Sequence, residues 1–588
     1  MSHRALSRGR RLLLASCLVL AAVGAHHRAL HADLLYDDRE VIEDDPRMEE
    51  AGPMDWWGLL SRSYWPGAHR DALWRPATLL SLAVQKKFQA QPAAYHGANL
   101  LLHAAVVVVF FCLILDLGGS TGLALSAALL FAVHPLASEA VTLVVGRADL
   151  LTALSILGAL HLVARQRQKN LAETPPPWVL AALAALAAIA CMAKESGFIL
   201  MALAILLLAV FRKGGRSGAL SQVRAALRTT APRRLLLAIL LPSAGVLLLR
   251  FLVLGRLMRA GPPPLVNNPI AHAGFMAGRL QALRLVGKGL TLFIWPRHLS
   301  VDYSFAAVRV PHLNPAALVQ AAACLTLAGL FLWMLRSRPL ALWGALFFLL
   351  SQALTANLLV PIGTIFAERL LYLPMIGLCL LAADLGAAGI KRLLQARRLS
   401  LLAQAAATVL ALAVAAALTW RTLERERDYA SDLILWSRTA AAQPRSAKAH
   451  YNLGRSLAVR GRDTEAIGQY RAALEILPAH IEALNNLAVS LLRTGHPREA
   501  LNHLDRAVKL APSSAQVAFN RALALYLLGH TAAAGREFKR GRRLDPAMAR
   551  RLLSRGPRWR LMEEAGATAA PAHPAPPAPG EVGSDPPL

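Results

Sequence analysis

Runs of Leu, Ala and Val recur from near residue 12 to residue 420, each long enough to cross a hydrocarbon core about 30 Å thick, and beyond that point they stop. A chain patterned this way is membrane protein first and soluble domain second. With 55% hydrophobic and 17% charged residues over 588 positions, it is too apolar for a soluble multidomain protein and is neither disordered nor collagen-like. The formal charge of +29 would suggest nucleic acid if the basic residues formed one face, but they sit in short clusters between apolar runs. Their pattern reads as membrane topology, and no nucleic-acid partner is expected. Cys17, Cys112, Cys191, Cys324 and Cys379 all lie in apolar segments without metal-ligand spacing, so no redox role follows.

Lys and Arg in short loops mark the cytosolic side. Four arginines in the first eleven residues put the N-terminus there. The stretch "MSHRALSRGRRLLLASCLVLAAVGAHH" has the basic and apolar regions of a signal peptide, but its multispanning context favours an uncleaved first helix. "RQRQK" at 165–169, the loop 212–234 with seven basic residues and no acid, "RSR" at 336–338 and "KRLLQARR" at 391–398 also fall inside. This requires that "RLVGKGLTLFIWPRHL" does not cross; Trp295-Pro296 and its basic residues suit a headgroup position, so it is read as re-entrant or interfacial. About 11 spans result, with the loop 33–95 and everything after 420 on the non-cytosolic face.

That face collects Asp37 and Asp38, Trp74-Arg75-Pro76, "HPLASEAVTLVVGRAD" at 134–149, Lys194-Glu195, Asp302-Tyr303 and "PIGTIFAERLLYLP". Any one ionisable residue at a span edge is accounted for by helix-end anchoring. Many converging on one face point to pairing, a polar cavity or chemistry.

From residue 444 a 34-residue period sets in: Pro444, Pro478, Pro512 and Pro546; Asn452, Asn486 and Asn520; Gly461, Gly495 and Gly529; Ala466, Ala500 and Ala534. Helix-turn-helix units of this length, with small residues where helices cross, carry the tetratricopeptide signature. Three such repeats stack into a solenoid whose concave side suits an extended peptide. Asn452, Asn486 and Asn520 are candidates to hydrogen-bond an acceptor backbone; the alternative is that Asn is simply common at that position of the repeat. The tail from 564 is rich in Ala and Pro and reads as disordered. The expected organisation is a basic N-terminus and first helix (1–32), an external loop (33–95), a polytopic core (96–420), a repeat domain (421–563) and the tail (564–588).

The strings "LLYDDREVIEDDP", "WRPATLLSL", "YHGANLLLHA", "ALLFAVHPLASEAVTLVVGRADLL", "MAKESG", "RHLSVDYSF" and "PIGTIFAERLLYLP", in this order and followed by the repeats, resemble the transmembrane O-mannosyltransferase family that carries tetratricopeptide repeats. The resemblance runs from about 33 to 550, and the Ala/Arg/Leu-heavy composition is similar to its bacterial relatives. It implies an all-α fold, a polytopic transmembrane helix bundle of the GT-C-like class followed by a tetratricopeptide solenoid. It also implies a glycosyltransferase that passes a sugar, mannose in the eukaryotic members, from a polyprenyl phosphate to a Ser or Thr hydroxyl of a protein outside the cytosol. The implied location is the bacterial inner membrane with periplasmic repeats, or the endoplasmic reticulum membrane with lumenal repeats in a eukaryote. In related enzymes an acidic pair in the first external loop carries the base, and the matching residues here are Asp37 and Asp38.

The chemistry makes the same demand. A hydroxyl displacing phosphate from an anomeric carbon needs a carboxylate to take its proton and cations at the leaving phosphate. Two adjacent carboxylates offer one base and one neighbour that orients it or raises its pKa. Arg147 and Arg369 are the first candidates for the phosphate, then Arg75 and Lys194, with Glu139, Asp149, Glu195 and Glu368 as the carboxylates holding them. No ligand set is evident for a metal, so neither metal nor cofactor is expected, although carboxylates of this kind can hold a divalent ion. The acidic pair could instead belong to a solvated charge run with Glu40, Glu43, Asp44 and Asp45. Two other functions fit the pattern: a ligase or polymerase using a polyprenyl-diphosphate oligosaccharide, and a non-catalytic membrane anchor for partner-binding repeats.

Overall fold

The computed structural model describes residues 7–48, 55–65, 73–169, 174–211, 229–257, 261–307, 315–397 and 400–567, and among them every regular element is helical. Most of the basic loop 212–234 and nearly all of the Ala/Pro tail lie outside the described residues. The chain divides into two compact units, one formed by residues 1–264, 268–301 and 310–431, the other by 265–267, 302–309 and 432–588.

Among the described residues of the first unit, seven helices are long and apolar enough to cross a membrane: Arg8–His31, Pro92–Asp116, Val144–Gln168, Thr230–Leu254, Leu318–Ser337, Glu368–Arg392 and Ala405–Arg427. An eighth crossing arises if Thr121–Ala132 and Pro135–Thr142, bent by 52°, form one span. The expected count of about 11 spans is reached by adding the shorter apolar helices Pro177–Ala193, Glu195–Val210 and Pro339–Thr355, which stand at the short end of what crosses a bilayer. The helix Phe275–Ile294, carrying Arg279, Arg284 and Lys288, is not among the crossing helices. The most enclosed crossing is Val144–Gln168, whereas Leu318–Ser337 and Ala405–Arg427 leave most of their apolar side chains facing outward.

The bend at 133–134 has a local cause. Pro135 cannot donate to a continuing helix, and the His134 side chain accepts from the Leu136 N–H (3.2 Å), starting a new short turn. Residues 135–146 then run as three short turns before the long helix Arg147–Gln168 begins. This is how "HPLASEAVTLVVGRAD" becomes a buried, irregular segment at the end of a span.

The second unit contains three helix pairs: Ala447–Ala458 with Asp463–Ile476, Ile481–Arg493 with Pro497–Leu510, and Ala515–Leu527 with Thr531–Leu544. Gly461, Gly495 and Gly529 turn each pair with φ of +73°, +81° and +81°, a region that disfavours side chains. Ala466, Ala500 and Ala534 are fully buried where the helices cross. Asp432–Ala442 precedes the pairs, and Pro546–Arg555 and Pro557–Ala567 follow them. The expected boundary at 421 moves: Ser400–Arg427 is one continuous helix, and the second unit begins at Asp432.

Asp302, expected among the charged residues of the external face, belongs to this second unit. Its Oδ2 accepts from the Ser446 hydroxyl (2.5 Å), and the same Ser446 Oγ caps the first repeat helix by accepting from Ala449 N (3.0 Å). Ser446→Ala should therefore lose both bonds and lower stability by about 1–2 kcal/mol, read as a lower melting temperature and faster proteolysis at the first repeat.

Candidate active site

The segment that leaves the first helix reaches the acidic pair through Tyr36, a non-glycine residue at φ +45° and ψ −107°. Such a backbone costs on the order of 1–3 kcal/mol and persists only where its surroundings enforce it. It turns Asp37 and Asp38 into the first turn of the helix Asp37–Ile42.

Asp38 is fully buried. One carboxyl oxygen accepts from Val145 N (2.8 Å) and the other from Leu35 N (3.3 Å). Burial raises its pKa to about 7; the main-chain donors at Val145, Val144 and Leu35 pull it down, and the neighbouring Asp37 charge pushes it up further.

Asp37 is the more open of the two, at 9% exposure, and its Oδ2 accepts from Arg369 Nη1 at 3.4 Å. Arg369 is anchored from the other side by Glu139, which takes its main-chain N–H (2.9 Å) and lies 3.7 Å from its Nε. Lys194 is gripped by both oxygens of Asp149 (2.6 and 2.7 Å). Arg75 donates twice to Glu195 (2.8 and 3.1 Å), which also holds Arg250 (3.1 Å). Lys194 is within electrostatic reach of both Arg75 and Arg369, so three cations gather beside the acidic pair.

The structure thus brings together Asp37, Asp38, Arg75, Lys194 and Arg369 with Glu139, Asp149 and Glu195, from segments spread over more than 300 residues. Two further candidates, Arg147 and Glu368, have other partners. Arg147 is buried, and its guanidinium is used by the Asn99 Oδ1 (3.0 Å) and the carbonyls of Tyr95 (3.1 Å) and Ser81 (3.3 Å). These partners are neutral oxygens, so Arg147 ties the walls of the site while none of them cancels its charge. Glu368 accepts from Ser300 N (2.5 Å) and pairs with Arg425 (3.2 Å).

Asn452, Asn486 and Asn520 make their bonds inside the repeats, to Lys448 O (3.0 Å), the Tyr451 hydroxyl (3.3 Å) and Asn485 Oδ1 (2.9 Å) respectively. Asn452 and Asn520 are buried.

Other residues escaped the sequence reading. Asn99 donates to the carbonyls of Leu143 (3.0 Å) and Val141 (3.3 Å), fixing the turn that carries Val145 to Asp38. Gly146 is required in that turn, because a Cβ there would stand 2.2 Å from the Ala140 carbonyl oxygen. Glu426, near the end of the last apolar helix, accepts from Ala29 N (2.9 Å) and Thr142 Oγ1 (3.2 Å) and meets His26 Nδ1 at 2.6 Å. It joins the two stretches that lead to Leu35 and Val145, the main-chain donors of Asp38. Glu426 is one of two acids in "ERER" just past an apolar run, and that was its only trace in the sequence. Among the described residues no group of three His, Cys, Asp or Glu is placed to hold a metal ion.

Tetratricopeptide repeat models match residues 445–513 and 485–549. Protein O-mannosyl-transferase TMTC4 of Mus musculus is 29% identical over 494 residues, covering 76% of this chain and 64% of the relative. The protein of that name from Homo sapiens gives 29% identity with the same shares. Protein O-mannosyl-transferase TMTC1 of Homo sapiens gives 27% over 80% of this chain and 55% of its own length. The chain thus spans under two thirds of the length of the curated relatives it matches. It is a multi-pass membrane protein with C-terminal tetratricopeptide repeats, similar over about three quarters of its length to proteins named protein O-mannosyl-transferase.

Proposed function

We propose that this chain is a membrane glycosyltransferase that moves a sugar, mannose by likeness to its relatives' names, from a polyprenyl phosphate to a Ser or Thr hydroxyl of an acceptor protein on the non-cytosolic face. The repeats serve to bind the acceptor. The observation that carries this reading is Asp37, the less buried of the two carboxylates, whose Oδ2 meets Arg369, itself anchored by Glu139.

In the transfer the acceptor oxygen attacks the anomeric carbon and gives its proton to Asp37. The bond from that carbon to the phosphate oxygen breaks, and its electron pair leaves with the phosphate. Arg75, Lys194 and Arg369 balance the charge that gathers there, and their carboxylate partners keep each cation aimed. Asp38, with both oxygens engaged by the main chain, positions Asp37 and does not itself reach substrate.

The test is transfer of radiolabelled mannose from polyprenyl-phosphate mannose into membrane and exported protein by the full chain. Label that depends on Asp37 supports the reading; no label with wild type overturns the donor assignment and favours an oligosaccharide diphosphate or a scaffold. Glu195→Gln, which loosens Arg75 and Arg250 together, should raise the KM for the lipid donor roughly tenfold, corresponding to about 1.4 kcal/mol of lost binding. An unchanged KM would show that Arg75 does not meet the phosphate.

A further inference from the structure

Tyr64 lies in the first loop with 1% of its surface exposed, and among the described residues its hydroxyl oxygen is a buried polar atom without a hydrogen-bond partner. Such a group is unfavourable in a resting fold, because it has lost water and gained nothing in return. The surroundings could not easily relax to satisfy it. Tyr64 N donates to Leu73 O (2.7 Å), and its carbonyl accepts from Arg47 Nη2 (3.0 Å). Arg47 also holds Ser63 O (2.7 Å) and is itself locked to buried Asp45. A buried ion pair thus clamps the backbone on either side of the ring.

The ring faces the site. The Arg75 guanidinium lies over it, 5.2 Å from the centroid, and Asp37, Asp38 and Arg369 are all within electrostatic reach of the hydroxyl. Neither of these two carboxylates accepts from it. A donor left free among cations is arranged for an anion that a substrate brings, and not for the acceptor hydroxyl, whose partner is a carboxylate.

We propose that Tyr64 is a further catalytic residue, whose hydroxyl donates a hydrogen bond to an oxygen of the departing phosphate. This rests on the glycosyl-transfer reading above. The phenol keeps its proton throughout, as burial pushes its pKa well above the ordinary range. The electron pair of the broken carbon–oxygen bond stays on the phosphate oxygen, and the acceptor's proton goes to Asp37. The bond to Tyr64 strengthens as charge builds on that oxygen, so its effect falls on kcat more than on donor KM.

The experiment compares wild type, Tyr64→Phe and Asp37→Asn as purified full chains in lipid nanodiscs, with labelled polyprenyl-phosphate mannose as probe. Tyr64→Phe removes only the unpartnered oxygen, so its melting temperature should equal or exceed that of wild type. Its kcat should fall on the order of 100-fold with donor KM little changed. A kcat within twofold of wild type, while Asp37→Asn is inactive, overturns the role of Tyr64 and leaves the transfer reading standing. A drop in kcat accompanied by a matching loss of thermal stability also overturns it, in favour of a packing role. If Asp37→Asn transfers as well as wild type, the base assignment fails instead, and Tyr64 is judged on its own kcat. Wild type that transfers nothing removes the reading and the inference together.

Discussion

Asp37→Asn is expected to lower kcat for sugar transfer on the order of 1,000-fold, with fold and donor KM close to wild type. The amide has nearly the size and shape of the carboxylate but cannot take the acceptor's proton. Arg369 keeps its second carboxylate, Glu139, so the substitution strands no buried charge and the cation stays in place. This is what separates it from an alanine substitution at Glu139 or Asp149, where a deeply placed cation would lose its holder and stability would fall with activity. The measurement is steady-state transfer by protein whose melting temperature has been matched to wild type. Retention of more than a tenth of wild-type kcat would mean that the proton goes elsewhere, and Asp37 would then be a holder of Arg369 only.

The contrast between Asp37 and Asp38 was not readable from "DLLYDD". Adjacent residues of one type differ here because the chain reverses at Tyr36 and points one carboxylate into main-chain donors and the other toward Arg369. What sequence did reveal follows from periodicity and from the cost of charge near lipid. The 34-residue period located the repeats and their turn glycines, and the charged residues clustered on one face proved to be partners in Arg75–Glu195, Lys194–Asp149 and Arg369–Glu139. Pairing partners could not be assigned in advance, since they come from segments far apart and nothing local encodes which carboxylate meets which cation. Arg147 shows this: it was a first candidate for the phosphate, and nothing local announced that its partners would be Asn99 and two carbonyls. Hydropathy likewise does not fix the number of crossings, because a 17-residue apolar helix and a full span look alike in composition.

Asp38 supplies the second large effect, on stability as a function of pH. Its folded-state pKa of about 7 stands above the value of 3.8 expected for an unfolded chain. Between those values the native protein holds a proton that the unfolded chain has released, so native stability declines as pH rises through this window and levels off above it. The total is on the order of 4 kcal/mol, since each tenfold change in proton affinity corresponds to about 1.4 kcal/mol. Asp38→Asn stays neutral at every pH and should lose this decline. One of the two main-chain donors then faces an amide nitrogen, a penalty of about 1 kcal/mol that does not vary with pH. Melting temperatures taken from pH 5 to 8.5 should therefore fall for wild type and stay flatter for the variant, with the variant the more stable at the alkaline end. Ionisation of Asp38 also places negative charge next to the point where the acceptor's proton arrives, so wild-type transfer should rise with pH through about 7 and the variant should lack that rise. Parallel stability curves for the two proteins would show that Asp38 is ionised across the whole range. The four groups that surround it, Leu35 N, Val144 N, Val145 N and Asp37, would then be balanced toward its charged form, and Asp38 would act on the base as a fixed charge and not as a pH-dependent one.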